Sequence, residues 1–422
     1  MKHLLLAAAL ILAAPVSAET VFITADRMVD VLTGRMVDAP AIVVTEGRIV
    51  SVGRQGSVAV PEGAKRIDLA GLTLVPGFID MHVHLTSDPK MQPMDALLKT
   101  DNYWVLVGAQ NAGKMLATGI TTVRNVGSSG FDDVAIKQAI EDGRLQGSRI
   151  VPATYALGAT GGHCDETFFP PSFEAKSPGV ADGVDALRAK VREVRKYGAE
   201  VIKVCATGGV FSRNTEPGQQ QLREEELKAI ADEAHMWGVK VAAHAHGASG
   251  IKAAIRAGID TIEHASLIDD EGIKLAKERG AYLSMDIYNT DYTQSEGKKN
   301  GVLEDNLRKD REVADVQREG FRKANAAGVK MVFGTDAGVM PHELAVNQFG
   351  TMARYGMSPL QVLRAATSTA AEALGREKDV GAIAPGRYAD IVAVAGDPLA
   401  SVEPLMAAKV VVKGGEVVAD RR

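Results

Sequence analysis

The stretch Pro76-Gly77-Phe78-Ile79-Asp80-Met81-His82-Val83-His84-Leu85 is an apolar run that ends in two histidines one residue apart. Side chains along a β-strand alternate faces, so His82 and His84 share a side, two rises of about 3.3 Å apart. Pro76 and Gly77 favour a strand that starts from a turn, and Val83 keeps β propensity high. Such a pair is either two satisfied core histidines or a chelating pair, and the rest of the chain decides between them.

Seven further strand-like runs follow, at 120–123, 149–153, 200–204, 240–243, 260–263, 281–285 and 330–333, separated by amphipathic segments of helical length. With the opening strand they make eight β/α units over about 300 residues, which predicts an α/β protein with a (β/α)8 TIM-like barrel over residues 75–378. An open doubly wound sheet competes, but no Gly-rich dinucleotide turn follows the first strand. Residues 19–74 and 379–422 are short β-type runs broken by Gly and Pro, and predict a small β-sandwich domain built from both chain ends.

The 422 residues, 46% of them hydrophobic, can bury one large core and a smaller one. A net charge of −5 argues against a nucleic-acid-binding surface. Residues 1–18 read as a secretory signal: Lys2 opens it, an apolar stretch runs to Ala14, and Val16-Ser17-Ala18 is the cleavage site. The apolar stretch is shorter than the ~20 residues a membrane span needs. The mature protein is therefore expected to be exported, periplasmic or secreted, and free of the membrane. Cys164 and Cys205 are too few for a disulfide scaffold and are expected as buried thiols, close in space because their neighbours are His163 and Lys203.

Active sites of (β/α)8 barrels lie at the C-terminal ends of the strands. His82 and His84 end the first strand, Lys203 lies late in the fourth, His244 ends the fifth, His264 the sixth and Asp336 the eighth. Singly, each has a structural reading: a satisfied core histidine, a turn cap, a surface lysine. Six at one end predict a metal site, and imidazoles with a carboxylate suit zinc or a similar divalent ion. An ammonium cannot ligate a metal, so Lys203 must be neutral, altered or elsewhere; carboxylation would make it an anionic carbamate that can bridge two ions. In the seventh loop, Asp286 and Asp291 with Tyr288 offer an acidic pocket for an Arg or Lys side chain, or else are solvated loop charges. His235 and His342 read as structural.

Met81-His82-Val83-His84, Val201-Ile202-Lys203-Val204, His244-Ala245-His246-Gly247, Ile262-Glu263-His264 and Gly334-Thr335-Asp336 resemble the binuclear-metal amidohydrolase superfamily over nearly the whole mature chain. Gly161-Gly162-His163-Cys164 and Ala206-Thr207-Gly208-Gly209-Val210 narrow the resemblance to its bacterial dipeptidase branch, related to imidazolonepropionases and prolidases. The resemblance implies one zinc on His82, His84 and Asp336, a second on His244 and His264, and a bridge of N6-carboxylated Lys203 and hydroxide. It also implies that Asp336 shuttles the proton and that His163 stabilises the oxyanion. His246 shares a face with His244 by the period of two but lies just beyond the strand, which favours binding of substrate carboxylate over metal ligation. Arg213 is the other candidate for that carboxylate, or else an ion-pair partner of Glu216.

The substrates so implied are dipeptides or N-acyl amino acids, with C-terminal Arg or Lys favoured by the acidic loop. Xaa-Pro dipeptides and N-acyl aromatic amino acids, toxin amides included, stay open. So do a mononuclear-zinc deaminase and a non-catalytic exported binding protein. Homo-oligomers are common in the superfamily.

Overall fold

The computed structural model describes residues 19–91 and 93–422. The expected signal segment 1–18 lies outside the described residues. Among these, no helix is long and apolar enough to cross a membrane.

The first barrel strand, Phe78–Val83, is buried at every position, as a parallel strand covered on both faces must be. It pairs in parallel with Ile120–Asn125, which pairs in turn with Arg149–Pro152. Val201–Cys205, Lys240–Ala245, Thr261–His264, Tyr282–Ser284 and Met331–Val332 form a second parallel arc. Parallel bridges Leu157 to Val204 and Val83 to Ala337 join the arcs at both seams. The seam at the first strand is tight: Met81 N donates to Phe333 O at 2.8 Å and His84 N to Ala337 O at 2.7 Å. The eight strands thus close into the expected barrel.

Amphipathic helices cover it. Helix Val184–Lys196 buries Leu187, Val191 and Val194, one stripe at helical spacing. After the seventh strand, helix Glu304–Ala327 buries Asp310, Val313, Ala314 and Gln317, a face that includes polar residues.

Both chain ends meet in one mixed eight-stranded sheet. Thr20–Asp30 runs parallel to Lys65–Pro76 and antiparallel to Pro40–Thr45. Lys65–Pro76 then takes Ile391–Val394 as its antiparallel neighbour, and Val410–Lys413 and Glu416–Asp420 follow. Val21, Ile42, Ile49, Leu74, Ile391 and Val412 meet in one apolar cluster, so the sheet curls around its own core. Gly77 joins this sheet to the barrel and donates to Asp390 O at 2.8 Å. A Cβ there would stand 2.2 Å from Thr121 Oγ1, so only glycine fits the junction.

The cysteines depart from expectation. Cys164 and Cys205 are joined in a disulfide, with Cα atoms 5.9 Å apart. The reason is local: the bridge from Leu157 to Val204 lays the loop after the third strand along the fourth, whose last residue is Cys205.

Candidate active site

The six ligands expected at the strand ends line one cavity, together with His163 and His246. His82 Nε2 lies 3.3 Å and His84 Nε2 3.4 Å from the same oxygen, Asp336 Oδ1. Donor atoms of His82, His84 and Asp336 all fall within 4.8 Å of one another, and so do those of His244, His246 and His264. The backbone is forced at these points: His264, Ala265 and Asp336 hold φ of 65°, 48° and 56°, left-handed values that non-glycine residues adopt under constraint, often at functional sites.

Behind these candidate ligands lies a layer that aims them. His82 Nδ1 lies 3.0 Å from Glu263 Oε2, whose other oxygen accepts from Arg124 Nη2 at 2.6 Å. Arg124, itself 1% exposed, also donates to Met81 O and Thr261 Oγ1. Burial raises the Glu263 carboxyl, but Arg124 and His82 outweigh it and hold the group well below the usual carboxylate range. His264 Nδ1 contacts Asp286 Oδ1 at 2.9 Å, and Gln317 Nε2 donates to that same oxygen at 3.0 Å. His246 Nδ1 is held by Ser266 Oγ at 2.7 Å. With Nδ1 engaged in each case, Nε2 is the nitrogen left to face the cavity.

His163 stacks on His244 with ring centroids 4.1 Å apart. Its Nδ1 contacts Ser212 Oγ at 2.8 Å, and Ser212 Oγ lies 2.5 Å from Thr215 Oγ1. A Cβ at Gly209 would stand 2.3 Å from the His163 ring, which explains the glycine in the Gly208-Gly209 pair. Lys309, 1% exposed, donates to Ser212 O at 2.8 Å and so pins this turn from the helix above.

Titratable groups crowd together here in a buried setting. Burial pushes Lys203 down to about 8 and His163 down to about 3, and carries His244 and His246 well below their usual value. Those three imidazoles are therefore neutral at pH 7, the form that ligates a metal; at His82 burial and Lys203 pull down, but Asp336 and Glu263 outweigh them and raise the group. Burial raises the Asp336 carboxyl, yet His82 and His84 overcome it and hold the group well below its ordinary value. Lys203 is 3% exposed and, among the described residues, no carboxylate lies within ion-pair distance of it. A buried lysine drawn toward neutrality is the form that can add carbon dioxide, and the imidazole-carboxylate donor set fits divalent metal.

Four expected residues fall elsewhere. Arg213 is exposed and lines a separate surface groove, and Glu216 pairs with Arg308 at 2.9 Å instead, so neither reading of Arg213 holds. Asp286 lines the cavity, but its oxygens are taken by His264, Gln317 and Asn289, which makes it a support for a ligand. Asp291 pairs with Arg318 outside the cavity. Tyr288 is half-buried, with its hydroxyl accepting from Asn347 at 2.7 Å, and does not line the cavity. The acidic pocket of the seventh loop is therefore not formed. His235 and His342 have structural partners: Asp260 for one, and the backbone oxygen of His84 for the other.

Residues 73–418 match the model of the amidohydrolase family. The chain belongs to the amidohydrolase family. An ochratoxinase of Aspergillus niger is 32% identical over 369 residues, covering 82% of this chain and 75% of that protein. Among solved structures, a Xaa-Pro dipeptidase with methionine bound in its active site superposes with a TM-score of 0.88 at 33% identity, covering 94% of this chain and 99% of the other. A prolidase complexed with N-methylphosphonate-L-proline gives 0.87 at 31% identity, with 94% and 99% covered. This amidohydrolase is a metal-dependent hydrolase of C–N bonds, in the dipeptidase-like branch of its superfamily.

Proposed function

We propose that the protein is an exported binuclear zinc peptidase that hydrolyses the amide bond of dipeptides or N-acyl amino acids. The observation that carries it is two donor clusters within one cavity, His82, His84 and Asp336 beside His244, His246 and His264, with buried Lys203 on the same wall. In this reading His82, His84 and Asp336 would hold one ion and His244 and His264 the other, with carboxylated Lys203 as a shared anionic ligand. When bound, the metal pair supplies an activated water near neutral pH and polarises the scissile carbonyl.

The chain's own residues do the rest. Asp336 accepts the water's proton and returns it to the leaving amine, a role suited to a carboxylate held ionised by two imidazoles. His163, neutral and fixed through Nδ1, presents Nε2 to the carbonyl oxygen as it gains charge. His246 faces the cavity through Nε2 and takes the substrate carboxylate. Export is supported by the Cys164–Cys205 disulfide, a bond that persists in oxidising compartments.

The test is metal content by elemental analysis, with kcat/KM across a panel of dipeptides and N-acyl amino acids, after reconstitution with zinc and bicarbonate. Two ions per chain and amide turnover are the expected result. One ion per chain with no amide cleavage would overturn the reading in favour of a deaminase.

A further inference from the structure

With Asp286 and Asp291 engaged by other side chains, one acidic residue on the cavity wall stays without a cation. Asp310 lines the cavity and is 5% exposed. Its Oδ2 accepts from Thr290 Oγ1 at 2.6 Å and from Gln294 Nε2. Its Oδ1 has no donor among the described residues, and no Lys or Arg of the described chain lies within 4.0 Å of it. Burial pushes this carboxyl above its ordinary value and the charge of Asp286 adds to that, against the hydrogen bonds from Thr290 and Gln294 and the more distant charge of Arg318, which pull it down.

Its position gives a length. Asp310, Val313, Ala314 and Gln317 follow the spacing of one helix face and all line the cavity. Gln317 is the end next to the metal ligands, since its Nε2 donates to His264 O at 3.1 Å and to Asp286. Asp310 stands seven residues back along the axis, about 10 Å at 1.5 Å per residue. Between them Val313 and Ala314 offer an apolar strip. A side chain that starts near the reacting carbonyl must be long, unbranched and apolar along its stem to reach the carboxylate, and cationic at its tip to satisfy it.

We infer that Asp310 selects substrates whose C-terminal residue is arginine or lysine, by pairing with the cationic head while Val313 and Ala314 pack the stem. This rests on the amide-hydrolase reading of the site. It assigns the preference for a basic leaving residue to the helix above the barrel mouth and not to the seventh loop.

The neutral isostere of arginine is citrulline, so the test is kcat/KM for Ala-Arg and Ala-citrulline with the wild-type protein and with Asp310→Asn. The wild type should favour Ala-Arg by about 100-fold, and Asp310→Asn should collapse that ratio to within a few-fold of one. The ratio is read, so an overall change in rate does not matter. A second measurement needs no variant: free L-arginine should inhibit the wild type at about one-tenth the concentration of L-citrulline or lower. Cleavage of Ala-Leu or Ala-Phe with an Ala-Arg to Ala-citrulline ratio near one, or equal inhibition by the two amino acids, would overturn the role of Asp310 and leave the hydrolase standing. Failure of the wild type to cleave any amide would overturn both.

Discussion

Nδ1 of His82 lies 3.0 Å from Glu263 Oε2, and the carboxylate so engaged is buried against the guanidinium of Arg124. The imidazole is therefore oriented by an ion pair that water does not screen. Glu263→Gln keeps the shape and removes the charge, and should weaken metal binding about 10- to 100-fold, read by competition with a chelating dye. Arg124→Met leaves Glu263 buried without a counter-charge and should destabilise the fold by about 3 kcal/mol or more in urea unfolding.

Ser212 fixes His163 through Nδ1 and is in turn held by Thr215. If Nε2–H donates to the carbonyl oxygen, Nδ1 is an acceptor and the Ser212 hydroxyl must donate its hydrogen bond to it. Ser212→Ala should then lower kcat about 10-fold with metal content unchanged, and His163→Asn about 100-fold. A fall in bound metal for Ser212→Ala would mean that the turn is structural only.

The disulfide closes a loop across 41 residues of sequence. Replacing both cysteines by serine should destabilise the protein by about 3 kcal/mol, measured by urea unfolding. It should also lower activity before unfolding begins, because the loop that carries His163 loses its tie to the strand that carries Lys203.

Lys413 donates to Gly147 O at 2.7 Å, and burial beside Arg149 pushes it down to about 8 from 10.5. In a base whose folded value is depressed, the unfolded chain holds more protons between the two values, so stability rises as pH climbs from about 8 to 10.5. Lys413→Met removes the desolvated charge and should stabilise by about 1 kcal/mol at pH 7, a figure reduced for partial exposure. The gain should fade by pH 10.5. Thermal unfolding at the two pH values checks it.

The candidate ligands were legible because each lies at or just beyond the C-terminal end of a barrel strand, and for His82 and His84 the period of two also gave a common face. That His264 and Asp336 reach the cavity through left-handed backbone was not legible. Arg124 was missed, although an arginine within the run Ile120-Thr121-Thr122-Val123-Arg124 is itself the mark of a buried charge with a partner. Asp286 was seen as an acid beside the site, but sequence does not say which neighbour takes its oxygens. Ser212, Gln317 and Asp310 act from a turn and from a helix, where direction depends on how far the element leans over the barrel mouth. The disulfide was misjudged on a count of cysteines, when the deciding fact is a parallel bridge from the loop after the third strand, at Leu157, to Val204 near the end of the fourth.

Lys65–Pro76 runs straight through Gly77 into the strand that carries His82 and leads to His84, and it takes Ile391–Val394 as its neighbour only after the barrel sequence has been made. A growing chain therefore holds an open backbone edge until its final strands arrive to cover it. Chains cut short before Ile391–Val394 keep that edge bare, and with it the entrance to the strand that carries His82. The late-made strands act as a completion seal: a protein released before they are in place exposes a surface that proteases and chaperones can read.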